Sequence, residues 1–291
     1  MSFFTRWRKK KEHPSTRPSF APLSPEHAAY LRNLVQRAGE VDPTREVFGS
    51  AKHQYQLNPV LPLDEVRKYE ERHQVQLPEE YVFFLTQVGN GGAGPYYGIY
   101  SLERTGSNEE YTRLCGQPAW INEAMTKDSW AEKMNLMEDA DDDTYDRLHD
   151  EIFGGFNLIG TQGCTYDNLL MNTGSWKGMM VYIDWNLEPE YGPFFTGMSF
   201  LDWYESFFQE LIAGHRLSSY GYVRLGSDEE LITAYREVAQ EEQDSILRSF
   251  FRFNTVRTET LQFLKGIEDE RHEERRKNLL EHFEKQMAGK G

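Results

Sequence analysis

The residues whose types and spacing could do chemistry begin with a glycine cluster, comprising Gly89, Asn90, Gly91, Gly92 and Gly94. Its spacing satisfies G-x-G-x-x-G, the pattern of a dinucleotide-binding loop, which needs a strand before it and a helix after it. Here a helical pattern comes before the cluster and a tyrosine-rich segment comes after it. A phosphate would therefore face the negative end of a helix. We interpret the cluster as a structural corner, and the alternative is a loop that a partner approaches closely.

A second candidate is the acidic run over residues 138–151, which has eight carboxylates and one arginine. Asp139, Asp141 and Asp143 match the first three ligand positions of a calcium loop. The match then fails, because Thr144 replaces the turn glycine and an aspartate replaces the closing glutamate. We therefore expect no metal site. The run is interpreted as an exposed, solvated segment, and the alternative is a docking surface for a basic protein.

Nucleophilic chemistry has little support in the sequence. The nearest histidine upstream of Cys164 is His149, and only folding could bring the two together. Because small buried cysteines are common, we interpret Cys164 as a core residue. The sequence has neither H-E-x-x-H nor G-x-S-x-G. We predict a protein with no catalytic residues, no cofactor and no metal.

The elements that must position these residues are helices and a tyrosine-rich strand. Ser24 can cap a helix that ends before Asp42. A second helix is predicted over Pro78–Val88 with one strongly aromatic face, and Gly89 would end it in a left-handed turn. The change to Tyr and Ile over Tyr96–Leu102 predicts the first strand of a sheet.

Further strands are expected near residues 156–160, 168–172 and 179–185, with the last two joined as a hairpin. A capping box at Ser199 and Asp202 predicts a helix with a large aromatic face. These elements follow a polar insertion of uncertain structure. After them the pattern becomes helical to the end of the chain.

The domain organisation follows from length and composition, since 291 residues favour one main domain with extensions. Residues 1–22 are expected to be a disordered basic tail and residues 23–45 an N-terminal helix. An α+β domain is predicted over 46–216, including the insertion at 103–151, and a helical extension over 217–291. The alternative for the tail is weak adsorption to an anionic membrane.

The charge of the chain excludes some partners. The net charge is −15, but residues 1–17 have six Lys or Arg against one Glu, a balance of +5, so the remaining chain carries −20. Such a field repels nucleic acid and favours basic partners. No apolar run is long enough for a membrane span or a secretory signal. Two cysteines make no disulfide framework, and we expect a cytoplasmic protein without a stable membrane anchor.

Several segments together resemble the SUKH superfamily, and within it the branch named for a fungal cell-wall-synthesis regulator. The matching segments are FGSAKHQYQLNP at 48–59, LPEEY at 77–81, GNGGAGPYYG at 89–98, Gly160, Gly163-Cys164, the hairpin through Trp185 and FLDWYE at 200–205. The resemblance covers about 48–215, and the combination is more specific than any one piece. It implies an α+β fold with a mainly antiparallel sheet flanked by helices, here with a C-terminal helical extension.

The resemblance also implies a function, since bacterial members are mostly taken as immunity proteins that bind and neutralise toxins. We therefore expect a protein that binds a basic toxin domain, such as a nuclease. The alternatives are a non-catalytic scaffold or regulatory module and, third, an enzyme. The residues predicted to contact the partner are Asp139, Asp141, Asp142, Asp143, Tyr96, Tyr97 and Trp185. The aromatic residues of this set have a core role as their alternative.

Overall fold

The structure is a computed structural model that describes residues 21–122 and 124–288. The chain forms two compact units, Met1–Phe208 and Gln209–Gly291. Most of the basic tail predicted over 1–22 lies outside the described residues. An antiparallel sheet combined with many helices confirms the α+β class.

The sheet of the first unit is an antiparallel meander, in which each strand pairs with the next one along the chain. Its strands are β1 (Phe156–Gly163), β2 (Tyr166–Met171), β3 (Met179–Asp184) and β4 (Phe194–Ser199). Its helices are α1 (Pro25–Val41), α2 (Ser50–His53), α3 (Leu63–His73), α4 (Glu79–Phe83), α5 (Leu102–Ser107), α6 (Glu109–Thr112), α7 (Lys127–Glu138) and α8 (Asp142–Ile152), followed after β4 by α9 (Phe200–Ile212).

Two of the predicted helices form where their signals place them. The Ser24 hydroxyl accepts a hydrogen bond of 3.1 Å from the His27 amide, which caps α1, and the helix ends before Asp42. Helix α4 continues as a π-helical turn, Phe84–Val88. The Gly89 amide donates to the Phe84 carbonyl at 2.9 Å, five residues back, and so closes this turn. At Gly89 the chain is extended, with φ 178°, so the prediction of a left-handed turn there is wrong.

The segment predicted as a strand over Tyr96–Leu102 is not one. Pro95 and the positive φ of Tyr96, 56°, break the extended path. What remains is an isolated bridge between Gly92 and Ile99, together with a hydrogen bond of 2.7 Å from the Tyr100 amide to Ile159 of β1. The segment therefore lies along the free edge of β1 without becoming a regular strand.

The insertion between the corner and the sheet covers one face of the sheet. Its side chains join a buried cluster with alternate residues of β1, β2 and β3. Trp130 is 1% exposed, and Ile152 and Phe153 are also buried. The insertion is thus part of the core of the first unit, although its sequence reads as polar.

The opposite face of the sheet is aromatic. The Trp203 ring nitrogen donates to the Tyr182 hydroxyl at 2.6 Å, which joins α9 to β3 inside the core. Phe200 packs edge-on against both Tyr81 and Phe84 at centroid distances of 5.1 and 5.2 Å. These contacts place α4 and α9 together on this face and explain why their apolar positions are so rich in large rings.

The predicted hairpin is confirmed, because β2 and β3 pair in the antiparallel sense across residues 172–178. The predicted helix after Ser199 is confirmed as α9, with the Ser199 hydroxyl accepting from the Asp202 amide at 3.3 Å. Strand β4 was not predicted. Its pairing with β3 shifts register between Met179 and Val181, and such an irregular edge strand lacks clean alternation.

The second unit is helical within its described residues. Its helices are α10 (Asp228–Glu237), α11 (Gln243–Ser249), α12 (Thr258–Lys265) and α13 (Glu273–Ala288). Helix α10 begins with a capping box, in which the Ser227 hydroxyl accepts from the Glu230 amide at 3.2 Å and the Glu230 carboxylate accepts from the Ser227 amide at 2.7 Å. The end of α9, from Gln209 on, belongs to this second unit. There Glu210 pairs with the buried guanidinium of Arg252, which gives the unit a charged contact inside its own packing.

Candidate functional site

The glycine corner is held together by its own backbone. The Gly92 amide donates to the Ile99 carbonyl at 2.8 Å, and the Ala93 amide donates to the Gln56 carbonyl at 2.7 Å. A phosphate loop needs amides of this kind free to face its ligand. Those two amides are already bonded, and the next helix begins only at Leu102. The corner therefore has the geometry of a junction between segments.

Asn90 is the polar centre of this junction. Its buried amide group donates to the Glu103 carboxylate at 3.0 Å, and its carbonyl oxygen accepts from the Leu102 amide at 2.8 Å. The Asn58 side chain in turn donates to the Asn90 backbone carbonyl at 2.9 Å. One asparagine thus fixes the start of α5 relative to the corner.

The four aspartates of the predicted contact set lie at the corner between α7 and α8. Asp139 follows the last residue of α7, and Asp141 caps α8 by accepting from the Thr144 amide at 2.9 Å. Asp142 and Asp143 occupy the first turn of α8, where negative charge is favoured by the helix dipole. All four side chains are exposed. The described residues contain no cluster of three His, Cys, Asp or Glu that could hold a metal ion.

The later part of the acidic run is not a free solvated segment. Asp150 pairs with Arg113 at 2.5 Å, and Glu151 pairs with Lys133 at 2.5 Å. These basic partners lower the pKa of both carboxyls. Leu148, between them and the capping aspartates, is buried. The exposed, unpaired negative charge is therefore concentrated at the start of α8.

The three aromatic residues of the predicted contact set differ in how far their side chains are exposed. Tyr96 is 6% exposed, which agrees with the core role that the sequence left as its alternative. Trp185 is half-buried, stacks on Phe153 at 4.7 Å and donates to the Asp167 carboxylate at 2.8 Å. Tyr97 is 36% exposed. The Tyr97 ring contacts Phe48, whereas the Trp185 ring contacts Phe153.

The prediction that Cys164 is a core residue is wrong, because its side chain is exposed in the turn between β1 and β2. Its φ of 51° places it in the left-handed region, which such a tight turn requires. Cys115 is the buried cysteine, and burial raises the pKa of its thiol to about 11. The two thiols therefore differ sharply in access to solvent reagents.

Sequence reasoning missed a concave surface beside this turn, which we call the tyrosine depression. It has a volume of about 330 Å³. Its lining side chains are Lys52, Tyr97, Tyr100, Arg104, Thr161 and Cys164. They come from α2, the segment after the corner, α5 and the end of the β1–β2 hairpin. Tyr97, Tyr100 and Cys164 stood out in the sequence, but Lys52 and Arg104 did not, because isolated basic residues on short helices give no pattern.

Asp167 interacts with two residues that line the tyrosine depression, Thr161 and Arg104. Burial raises the pKa of the Asp167 carboxyl, and hydrogen bonds from Thr161 and Trp185 and the positive charge of Arg104 offset this only in part. The carboxylate is therefore a half-buried acceptor that holds the Trp185 ring in place. The side chains that line this region offer positive charge and aromatic ring surface.

Comparison with known proteins gives no further information on the function of this chain. A scan against family models, a search of curated proteins and a search of solved structures each gave no match. Within the described part of the chain, no helix combines the length and the apolar content that crossing a bilayer demands.

Proposed function

We propose that this chain is a protein-binding immunity protein, which neutralises a basic toxin domain, such as a nuclease, by direct contact. The observation that carries the proposal is the distribution of charge. Residues 21–208 have 30 Asp or Glu against 13 Lys or Arg, a balance of −17, whereas residues 209–291 have 16 against 13. The resemblance of residues 48–215 to the SUKH superfamily supports the same assignment. The proposal gives the chain no catalytic role and places it in the cytoplasm, where both thiols stay reduced.

The exposed aspartates at the α7–α8 corner fit this role by their position. They lie at the start of a helix that rests on the sheet through buried residues, so the charge sits on a rigid support. A nuclease needs a basic surface to hold its substrate. An acidic surface steers such a partner and raises the rate of encounter, mostly at low salt.

Co-expression with the toxin encoded beside the gene tests the proposal. The full chain is expected to restore growth of cells that express the toxin, and the two proteins are expected to purify as one complex. A strain carrying an unrelated acidic protein is the control for charge alone. Growth without a complex, or no growth at all, would refute direct neutralisation.

Reversing the charge at the α7–α8 corner is expected to slow association about tenfold at low salt, with little change in dissociation. The variant combines Asp139→Lys, Asp142→Lys and Asp143→Lys with Asp141→Asn, because asparagine can still cap α8. Stopped-flow association with the co-purified partner measures the effect. An association rate equal to that of wild type would exclude this corner as the steering surface.

The matched control makes the same change of seven charge units elsewhere on the first unit. It combines Glu40→Lys, Glu46→Lys and Glu71→Lys with Glu109→Gln, all at exposed positions. If steering depends only on total charge, both variants will slow association equally. A larger effect of the corner variant assigns the steering to its position.

A second candidate function is a scaffold or regulatory module that works through its C-terminal helices. The second unit favours it, because that unit has its own buried cluster built around residues of α10, α11 and α13. Deleting residues 222–291 separates the two functions. Lost partner binding with an intact first unit would support the scaffold, and retained toxin binding would support neutralisation by the first unit.

A further inference from the structure

The tyrosine depression has the opposite charge to the unit that contains it. Lys52 and Arg104 contribute its ionisable groups together with tyrosine and cysteine side chains, and no carboxylate lines it. Within residues 21–122 and 124–288, no salt bridge joins either basic side chain to an acidic one. A unit with a balance of −17 thus exposes two basic groups at one concave place. That arrangement favours an anion brought by another molecule.

The guanidinium of Arg104 is already oriented. It lies 3.7 Å from the centroid of the Tyr100 ring. The backbone beneath is fixed at both ends, because the Tyr100 amide donates to Ile159 at 2.7 Å and the Ser101 hydroxyl accepts from the Arg104 amide at 3.3 Å. A stacked arginine loses less freedom when it binds, which favours contact with a planar carboxylate.

An aromatic rim borders the depression. Tyr97 contacts Phe48 in a T-shaped pair at 5.2 Å, and Phe48 is 57% exposed. The backbone beneath the rim is tightly packed, because Gly49, with φ 84°, approaches the Tyr96 carbonyl so closely that a β-carbon would lie 2.0 Å from the oxygen. Exposed aromatic rings are typical of the residues that contribute most to protein interfaces.

The charge of the whole unit decides which anion fits. Nucleic acids and other multiply charged phosphates are repelled by the surrounding field. A single carboxylate on a basic protein is not, because the partner as a whole is attracted. We propose that the tyrosine depression holds an aspartate or glutamate side chain of the protein partner between Lys52 and Arg104. A neighbouring apolar side chain of the partner packs on Tyr97 and Phe48. This inference rests on the proposed function for the identity of the partner.

The depression itself can be tested on the full chain without the partner. The probes are the peptide acetyl-Gly-Phe-Glu-Gly-amide and its Gln counterpart, titrated to millimolar concentration against ¹⁵N-labelled protein. The Glu peptide is expected to shift amide signals of residues 97–104 and 161–164, with at least threefold higher affinity than the Gln peptide. The combined variant Lys52→Gln, Arg104→Gln is expected to remove that preference.

Cys164 supplies an independent readout, because it lines the depression and Cys115 is buried. The Glu peptide is expected to slow maleimide modification of Cys164 more than the Gln peptide does. Equal shifts with both peptides, no shift in these segments, or no difference in modification would each overturn the carboxylate site. These results do not depend on whether a toxin is found.

The complex supplies the second test. Lys52→Glu is expected to raise the dissociation rate of the co-purified partner at least tenfold, because two carboxylates would then face each other. Lys177→Glu is the matched control, since Lys177 is exposed on the first unit outside the depression. Both variants make the protein more acidic and should not slow association with a basic partner. Identical dissociation rates for the two variants would place the interface elsewhere.

Discussion

Gly92→Ala is expected to destabilise the first unit by about 3 kcal/mol or more. The φ of Gly92 is 100°, and an added β-carbon would lie 2.4 Å from the Gln56 carbonyl oxygen. That atom belongs to the backbone and accepts the Ala93 amide, so it cannot move aside without breaking a hydrogen bond of 2.7 Å. The bridge to Ile99, which has hydrogen bonds of 2.8 Å in both directions, would open with it.

Gly174→Ala is the control that separates backbone conformation from close approach. Gly174 also has a positive φ, 73°, but an added β-carbon would meet nothing within 4 Å. Gly174→Ala should therefore lower the free energy of unfolding by only about 1 kcal/mol, which is the cost of holding alanine in the left-handed conformation. If both variants lose the same stability, the tight packing of the corner contributes nothing.

The measurement can be made selective for the first unit. The six tryptophans of the chain all lie before residue 209, so tryptophan fluorescence follows the unit that contains the corner. Urea midpoints compared at an unchanged m-value give the difference in free energy of unfolding. The glycine corner is also the clearest part of the resemblance to SUKH proteins. This experiment therefore tests whether its glycines are needed for stability.

The elements that could be predicted have signals within a few residues of each other. The Ser24 cap, the aromatic face of α4 and the capping box before α9 each specify a helix locally. The hairpin between β2 and β3 is equally local, since a short turn joins two apolar strands. Such elements are positioned by propensity and patterning before any tertiary contact forms.

The insertion could not be read correctly because its apolar residues are sparse. In α8 only Leu148 and Ile152 are buried, and the other residues are mostly charged. Trp130 becomes a core residue through a partner far along the chain, since its ring nitrogen donates to the Glu188 carbonyl at 2.9 Å. Tertiary contacts of this kind have no signature in a local window.

The tyrosine depression was invisible for a related reason. Lys52, Arg104 and Cys164 come from three segments that only the fold brings together. The aspartates were found because they are adjacent in sequence. A run of neighbouring carboxylates can be recognised in the sequence, whereas a concave site is built from residues of separate segments and cannot.

Asp42→Ala is expected to destabilise the first unit by about 3 kcal/mol or more. The buried carboxylate accepts hydrogen bonds from the Tyr55 hydroxyl at 2.7 Å, the Ser50 hydroxyl at 2.9 Å and the Glu46 amide at 2.8 Å. It thereby joins the end of α1 to the loop that carries Phe48 and α2. Removing it leaves several buried donors without an acceptor.

Asp141→Ala is the matched control, because this aspartate is exposed and accepts from the Thr144 amide at the start of α8. Loss of such a cap typically costs about 1 kcal/mol. Urea midpoints from tryptophan fluorescence measure both variants. A loss for Asp42→Ala no larger than that of Asp141→Ala would show that solvent replaces the lost acceptor.

The dependence of stability on pH distinguishes the contribution of Asp42 from that of its neighbour His53. Burial alone would raise the pKa of the Asp42 carboxyl, but the hydrogen bonds from Tyr55, the Glu46 amide and Ser50 outweigh it and lower the pKa. The contribution of Asp42 is therefore fully present above about pH 4 and is lost as the pH falls through the lowered value. Above about pH 6.5, where His53 is neutral in both the folded and the unfolded chain, the difference in stability between wild type and Asp42→Asn should stay constant; below that pH the Asp42 charge also raises the pKa of His53.

His53 is expected to change the stability of the first unit in the pH range just above that of Asp42. Burial, with the positive charge of Arg45, lowers the pKa of His53 to about 4. The unfolded chain therefore takes up a proton on His53 near pH 6.5, whereas the folded chain does so only near pH 4. The contribution of His53 to the free energy of unfolding is present above about pH 6.5 and is lost as the pH falls from about 6.5 to 4. His53→Gln, which can still accept the Tyr55 amide, should remove this loss. Urea midpoints of His53→Gln that fall with pH as steeply as those of wild type would contradict the role of His53 and leave that of Asp42 untouched.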